Sequence, residues 1–290
     1  MNGVVLVNKE KGMTSHDVVA KMRRIYGTRR VGHTGTLDPM AEGLLPVCIG
    51  TATKAADMMT ASDKRYRAVM ELGKISDTLD AEGTVTEGGE VNVSEADIRN
   101  AAAGFVGEYD QLPPMYSAIK KNGKKLYELA REGIEIEREK RRVTIYKADV
   151  TDISLPYVTL DVCCSKGTYI RSLCSDIGAD LGCGAVMTAL VRTGTCGFSL
   201  DDAYTLGELE SMEEPERVII PTDSLFSDLP AIELNEKQER RIINGVRMTW
   251  RGGREGQSYR LYGRGGRFLC LSRLEDSRLV LVKSFWQNES

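Results

Sequence analysis

The sequence has no long apolar segment. Among its 290 residues, no apolar run approaches the roughly 20 residues that a membrane-spanning helix needs. Residues 1–13 contain one short apolar stretch and no small-residue cleavage site, so they do not predict a secretory signal. We therefore expect a cytoplasmic protein without a membrane anchor. The composition, 41% hydrophobic and 28% charged, is typical of a globular protein with enough apolar residues for a core.

Metal-ligating residues are scarce. The chain has two histidines and seven cysteines, and no two cysteines have C-x-x-C spacing, which argues against a zinc site. An odd number of thiols in mostly apolar surroundings suits a reducing compartment and does not predict disulfides. The sequence also has no Walker A string, no G-x-G-x-x-G string and no Ser-His-Asp arrangement. We expect neither a metal nor a cofactor.

The chain has little net charge, −3 overall, but the charge is unevenly distributed. Residues 200–236 contain eleven acidic residues and one basic residue, whereas residues 237–290 contain twelve basic and five acidic residues. A cationic C-terminal segment behind an acidic connector is expected where one end of a protein contacts phosphates. The alternative is that these arginines lie on solvated strands and bind nothing.

Residues 31–54, VGHTGTLDPMAEGLLPVCIGTATK, are the most informative segment. Glycines and prolines in its first half break helices and indicate a loop. Within this loop Asp38 precedes Pro39, and a residue before proline is driven toward extended backbone. Such an acid can project into a cleft as a reactive group. The alternative is that the Asp-Pro pair opens an ordinary surface turn.

Two further segments contain candidate site residues. Tyr66 stands among Lys64, Arg65 and Arg67 on a predicted strand, which suits base stacking beside phosphate contacts and equally suits an exposed strand tyrosine. Tyr169 and Arg171 lie near the start of a predicted helix. Arginine is the cation best suited to bidentate pairing with a carboxylate or a phosphate.

Periodicity and cap signals predict the remaining elements. Ser15 is the predicted N-cap of a helix over Asp17–Tyr26, residues 51–59 are predicted to be helical, and Ser94 with Asp97 predicts a capping box. Asn122-Gly123 predicts a turn between lysine-rich segments. Short strands are predicted in the C-terminal segment near residues 247–250, 258–262, 267–272 and 279–283.

Several of these segments resemble the TruB family of tRNA pseudouridine 55 synthases. The string GHTGTLDP at 32–39 is similar to the family's motif II loop, and KRYR, PPMYSAIKKNG and KGTYIRSL at 64–67, 113–123 and 166–173 match further family elements. The string NKEKGMTS at 8–15 departs from the family pattern, because Glu10 stands where the family usually has proline.

The resemblance implies an isomerase that converts uridine 55 in the T arm of tRNA to pseudouridine without a cofactor. Asp38 would be the catalyst, Arg171 would pair with Asp38, and Tyr66 would stack on the flipped uracil. The remaining residues expected to bind substrate are Tyr169 and Leu190 in the pocket, His33 beside the flipped nucleotide, and Lys9. As one of two histidines, His33 could equally be a hydrogen-bonded loop residue.

The resemblance also implies an α+β fold. We expect a pseudouridine synthase catalytic domain over residues 1–228, with a large, mostly antiparallel sheet, a central cleft and an acidic linker from about residue 205. Residues 229–290 would form a small β module similar to a PUA domain that binds RNA.

We expect a monomer that binds the T stem-loop of tRNA without an obligatory protein partner. Two alternatives stay open: a non-catalytic protein that binds or folds tRNA, and a small-molecule transferase that uses the GHTGTLD loop on nucleotides. The first predicts binding that survives the loss of Asp38. The second would be favoured by a second histidine close to the loop or by a glycine motif for phosphate, and we expect neither.

Overall fold

The computed structural model describes residues 1–121 and 123–286. The α-helices are α1 (Ser15–Ile25), α2 (Ala56–Thr60), α3 (Glu95–Gly104), α4 (Leu126–Arg131), α5 (Ile170–Asp180), α6 (Leu206–Ser211) and α7 (Glu236–Ile243). Short 3-10 segments span Gly50–Ala55, Leu200–Asp202, Pro215–Val218, Thr222–Phe226 and Arg264–Gly266. The turn predicted at Asn122-Gly123 includes Asn122, which lies outside the described residues.

The strands of the first two hundred residues are β1 (Gly3–Lys9), β2 (Val31–His33), β3 (Glu42–Ile49), β4 (Lys64–Leu72), β5 (Lys74–Ser76), β6 (Val85–Glu87), β7 (Gly107–Gln111), β8 (Lys120–Lys121), β9 (Lys124–Lys125), β10 (Arg141–Ser154), β11 (Tyr157–Cys164), β12 (Ala185–Thr195) and β13 (Phe198–Ser199). Those that follow are β14 (Tyr204–Thr205), β15 (Ile220–Pro221), β16 (Ala231–Glu233), β17 (Met248–Thr249), β18 (Ser258–Tyr262), β19 (Phe268–Glu275) and β20 (Arg278–Ser284).

One large sheet organises most of the chain. Its principal order is β14-β1-β3-β12-β4-β11-β10-β7, with β2, β13 and β15 paired to β3, β12 and β1. The pairs are antiparallel except for β1 with β14 and β3 with β12. This large, mostly antiparallel sheet with flanking helices confirms the predicted α+β fold class.

Residue patterns explain the sheet. Strand β4 alternates in burial, with Ala68 and Met70 inside and Arg65 and Arg67 outside, as expected for a strand with one face in the core. Strand β3 is almost wholly buried, because one hydrophobic cluster containing α1 and α5 residues covers one face and a second cluster covers the other. The central strands are therefore rigid supports for side chains at their ends.

Two local predictions need correction. Thr14, and not Ser15, is the N-cap of α1: its side chain accepts the Asp17 amide hydrogen in a capping box. Ser15 is buried instead. The segment predicted as one helix over residues 51–59 is a 3-10 helix over Gly50–Ala55 followed by α2. The capping box at Ser94 and Asp97 is present as predicted.

The C-terminal segment contains a second sheet of five strands in the order β16-β18-β19-β20-β17. The acidic residues that precede it are ordered: β14 and β15 add to the edge strand β1, and the Tyr26 hydroxyl donates to the Pro215 carbonyl at 2.9 Å. Phe226, Leu271 and Phe285 share a hydrophobic cluster with Ala55. No helix in the described parts of the chain is long and apolar enough to cross a membrane.

Candidate active site

The loop that contains Asp38 links β2 to β3, and we call residues 34–41 the Asp38 loop. Backbone bonds hold it at several points: the Pro39 carbonyl accepts from Gly12 N at 2.8 Å, and the Asp38 carbonyl accepts from Ala41 N at 3.0 Å. The buried Ser15 hydroxyl accepts from Leu37 N at 2.9 Å. The residue immediately before Asp38 is therefore fixed to the start of α1.

Asp38 opens into a cavity of about 570 Å³. Tyr66, Tyr169, Arg171 and Leu190 line the same cavity. The sheet brings these residues together from β4, β12 and the start of α5. Asp38 is the single carboxylate among the described lining residues, whereas the cationic lining residues are Lys64, Arg141, Arg142, Lys166, Arg171 and Arg192.

Arg171 lies at the centre of a hydrogen-bond network. Its Nη2 is 2.9 Å from Asp38 Oδ2, and its Nη1 is 3.3 Å from Asp80 Oδ2. The same two nitrogens donate to the Tyr116 carbonyl at 2.9 Å and to the Thr78 carbonyl at 3.1 Å. The expected pair between Arg171 and Asp38 is thus present. Because the Arg171 side chain is only 6% exposed, these partners are what make burial of its charge tolerable.

Asp80 holds the far side of Arg171. It lies in the loop between β5 and β6, residues 77–84, which we call the Asp80 loop. Its Oδ1 accepts from Thr78 Oγ1 at 2.6 Å and from Glu82 N at 3.1 Å. Leu79 between them has a φ of 64°, an unfavourable backbone for leucine. Such strain persists only where surrounding contacts over-determine the backbone.

Tyr66 and Leu190 line the cavity from neighbouring strands. Tyr66 pairs with Arg192 across β4 and β12, two residues from the pair between Ala68 and Leu190. Burial raises the pKa of the Tyr66 phenol, and the Arg192 guanidinium acts in the opposite direction. The phenol therefore stays protonated near neutral pH and can stack or donate a hydrogen bond.

Tyr169 is fixed by its backbone. Gln111, which is almost completely buried, donates from Nε2 to the Tyr169 carbonyl at 2.9 Å and accepts from Tyr169 N at 2.8 Å. Tyr169 is also the N-cap residue of α5, so the same contacts fix the start of the helix that contains Arg171. Burial raises the pKa of the Tyr169 phenol.

Arg192 is the most buried of the cationic lining residues, at 1% exposure. Its Nε donates to the Leu44 carbonyl at 2.7 Å and its Nη2 to the Gly35 carbonyl at 3.3 Å. No carboxylate within the described ranges forms a salt bridge with it. Cys164 also lines the cavity, and burial raises the pKa of its thiol to about 12, so it is a poor nucleophile at neutral pH.

His33 and Lys9 lie beside the cavity and are not among its lining residues. His33 Nδ1 accepts from Gly35 N at 3.3 Å, and its ring makes an edge contact with His16 at 5.5 Å between centroids. Lys9 is completely buried, and its Nζ donates to the carbonyls of Met13 at 2.7 Å and Pro39 at 3.3 Å. Both residues therefore contact the Asp38 loop, His33 at Gly35 and Lys9 at Pro39.

Sequence reasoning missed two residues at this site, Asp80 and Arg192. The string at 74–83 is acidic and rich in turn residues, but nothing in it distinguishes Asp80 from Asp77 or Glu82. Arg192 lies in the largely apolar string 185–198. A charged residue at an inward position of an apolar strand was the one available signal.

Comparisons with known proteins show which family the sequence resembles. The family model described as "TruB family pseudouridylate synthase (N terminal domain)" matches residues 23–170, and that described as "tRNA pseudouridylate synthase B C-terminal domain" matches residues 171–227. The tRNA pseudouridine synthase B of Clostridium kluyveri is 45% identical over 98% of this chain and 100% of its own length. That of Alkaliphilus oremlandii is 48% identical over 86% of this chain and 83% of its own length.

The fold is also similar to that of chains in solved structures. The chain is similar to a chain in the crystal structure of a Cbf5-Nop10-Gar1 complex, with a TM-score of 0.73, 26% identity and coverage of 98% of this chain and 85% of the other. A chain in the archaeal box H/ACA sRNP Nop10-Cbf5 complex has a TM-score of 0.71 at 25% identity, and the similarity covers 99% of this chain and 87% of the other. The Asp38 cavity, the sheet that supports it and these relationships lead to one conclusion: the chain belongs to the TruB family of pseudouridylate synthases.

Proposed function

We propose that this chain converts uridine 55 in the T arm of cytoplasmic tRNA to pseudouridine, with Asp38 as the catalytic carboxylate. One observation carries the proposal: among the described residues, Asp38 is the one carboxylate lining a cavity that six cationic side chains and three tyrosines also line. A polyanionic substrate suits such a lining. The curated relatives named tRNA pseudouridine synthase B support tRNA as that substrate.

The reaction needs one reactive group in a site that excludes water. The N1–C1′ glycosidic bond breaks, the uracil turns over, and C5 bonds to C1′; C5 loses a proton and N1 gains one. Asp38 would attack the sugar or the base, or assist elimination to a glycal. Arg171 would orient the carboxylate through the 2.9 Å contact, because a guanidinium is suited to pairing with a carboxylate.

The side chains around Asp38 suit a flipped uridine. Tyr66 would stack on the base, with Leu190 and Tyr169 enclosing it. Extrusion of the base from a folded arm costs a few kcal/mol, and stacking on an aromatic side chain offsets part of that cost. His33, immediately before the Asp38 loop, would support the RNA beside the vacated position, and Lys9 would hold the loop through the Pro39 carbonyl.

We infer that residues 229–290 act as a separate RNA-contacting module of the PUA-like kind, beside a catalytic domain over residues 1–228. Lys237, Arg240 and Arg241 on α7 line a surface depression of this segment. Cations grouped along one helix are suited to phosphate contacts. The chain would act as a monomer without an obligatory protein partner.

The test is an incubation of the purified chain with an unmodified tRNA transcript, followed by mapping of pseudouridine. Asp38→Asn is run in parallel, because it keeps the shape of the side chain and removes its charge. We expect modification at position 55 by the wild type and none by the variant. If both proteins bind the transcript and neither modifies it, the enzymatic proposal is wrong and a tRNA-binding or tRNA-folding function replaces it.

A further inference from the structure

Arg192 places a charged guanidinium at a buried position, where burial of the charge is energetically unfavourable. Burial of a guanidinium costs several kcal/mol unless partners compensate the charge. Arg171 has Asp38 and Asp80 for this purpose, whereas Arg192 donates to two backbone carbonyls and lies within hydrogen-bonding reach of the Tyr66 hydroxyl, all of them uncharged groups. An aliphatic side chain, such as the neighbouring Leu190 has, would fill a strand position of this kind without that cost.

The two carbonyls lie on opposite sides of the Asp38 loop. Gly35 is near the start of the loop, and Leu44 lies in β3 just after its end. One planar guanidinium therefore spans the loop, with Nε bound to Leu44 and Nη2 bound to Gly35. Asp38 lies between these two anchors in the chain.

The Arg192 backbone is itself fixed. Strand β12 lies between β3 and β4, so Arg192 pairs with Gly43 on one side and Tyr66 on the other. The approach to β3 is so close that a Cβ on Gly43, which has a φ of 97°, would lie 2.5 Å from the Arg192 carbonyl oxygen. The Arg192 backbone is therefore held in place between β3 and β4.

We propose that Arg192 is a positioning residue for this reaction: its guanidinium bridges the two ends of the Asp38 loop and thereby sets where Asp38 stands relative to Tyr66 and the substrate. The inference rests on the proposed function, because it concerns the same carboxylate. The bridging requires a fork of donors, which arginine has and lysine lacks. A lysine at this position keeps the charge but cannot bond both carbonyls in the same way.

The experiment compares Arg192→Lys and Arg192→Met with the wild type and with Arg99→Met as a control. Arg99 lies on α3, away from the cavity, and its Nη1 also donates to a backbone carbonyl, that of Val150, at 2.7 Å. Single-turnover rate constants on an unmodified tRNA transcript, dissociation constants for that transcript, and amide hydrogen exchange are measured for each protein.

We expect both Arg192 variants to lose about 10²-fold in the single-turnover rate constant, since displacement of a reacting group by about 1 Å costs that much. The RNA dissociation constant should not change. Exchange at the Leu37 and Ala41 amides should accelerate, while exchange at Ile98 in α3 should stay as in the wild type. The control should keep the wild-type rate constant.

Each contrary result has one meaning. A wild-type rate constant in Arg192→Lys overturns the proposal, because charge alone then suffices. A slow variant with unchanged loop exchange, or with weaker RNA binding, also overturns it and makes Arg192 a substrate ligand. If Arg192→Met does not fold, Arg192→Lys decides. If the wild type forms no pseudouridine, the proposed function fails, and loop exchange in Arg192→Lys still decides whether the bridge exists.

Discussion

The Asp38 loop and the Asp80 loop both bring a carboxylate to Arg171, but they present it differently. The Asp38 side chain is 42% exposed and faces the cavity, whereas the Asp80 side chain is 5% exposed and does not line it. One guanidinium thus has an accessible partner and an enclosed partner. The difference separates two tasks: a carboxylate that can reach substrate, and a carboxylate that fixes the cation beside it.

Asp38→Asn should produce the largest loss of activity. Asp38 is the one carboxylate among the described lining residues, so we expect pseudouridine formation to fall by at least about 10⁴-fold. Stability should change by no more than about 1 kcal/mol, because the pair is partly exposed. Single-turnover assays and urea unfolding measure the two effects. Activity above one per cent of the wild type would remove Asp38 from the catalytic role.

Asp80→Asn should cause a smaller loss of activity than Asp38→Asn and a larger loss of stability. It removes the charge of the enclosed partner, so the Arg171 guanidinium loses orientation; we expect the rate constant to fall by about 10²-fold and the free energy of unfolding by about 1–3 kcal/mol. Asp161→Asn is the control, since Asp161 pairs with the exposed Arg67 at 2.8 Å and should lose only about 0.2–1 kcal/mol. Equal stability losses in the two variants would contradict the assigned difference.

The same two loops illustrate what the sequence could reveal. The Asp38 loop was predictable because glycine, proline and a carboxylate occur there in a fixed order, and each has a local backbone consequence. The large sheet was predictable because alternation along segments such as β4 reports which face is buried. Helical periodicity, which is also local information, placed Tyr169 and Arg171 together near the start of α5.

The Asp80 loop was not predictable in this way. What distinguishes Asp80 from its acidic neighbours is its tertiary contact with Arg171, more than ninety residues away in the chain. Ser15 is a similar case: a serine near a helix start usually caps it, but Thr14 takes that role and leaves the Ser15 hydroxyl to hold Leu37. Local chemistry permitted both assignments, and packing decided between them.

Removal of one hydroxyl that contacts each loop tests the comparison further, with smaller expected effects. Ser15→Ala leaves the buried Leu37 amide without its partner and should lower stability by about 1–3 kcal/mol and the rate constant by about tenfold. Thr78→Val removes the 2.6 Å bond to Asp80, and we expect the same direction in both quantities. Urea unfolding and single-turnover assays measure both variants.

The matched control for these deletions is Ser94→Ala. It breaks the capping box of α3 and should lower stability by about 1 kcal/mol without a change in rate constant, because α3 contributes no residue to the cavity lining. A rate loss in this control equal to that of Ser15→Ala would mean that general destabilisation, and not the loop contact, reduces activity.

The smallest predicted effect is a pH dependence at His33, which immediately precedes the Asp38 loop and contacts it. Burial, and secondarily His16, lowers the pKa of His33 from its usual value of 6.5, so the unfolded chain binds a proton at this residue more readily than the folded chain. Below pH 6.5 the unfolded state gains that proton first, and stability falls as pH decreases toward the lowered folded pKa.

Urea unfolding at pH 7.5 and pH 5.5 should therefore show a larger loss of unfolding free energy for the wild type than for His33→Gln, in which the glutamine does not titrate. Loop-specific amide exchange, corrected for the intrinsic effect of pH on the exchange rate, sharpens the result: in acid, protection at Leu37 and Ala41 should fall more in the wild type than protection at Glu82, because His33 contacts Gly35 of the Asp38 loop and no histidine lies in residues 77–84. An identical pH response of the two proteins would show that protonation of His33 is not coupled to folding.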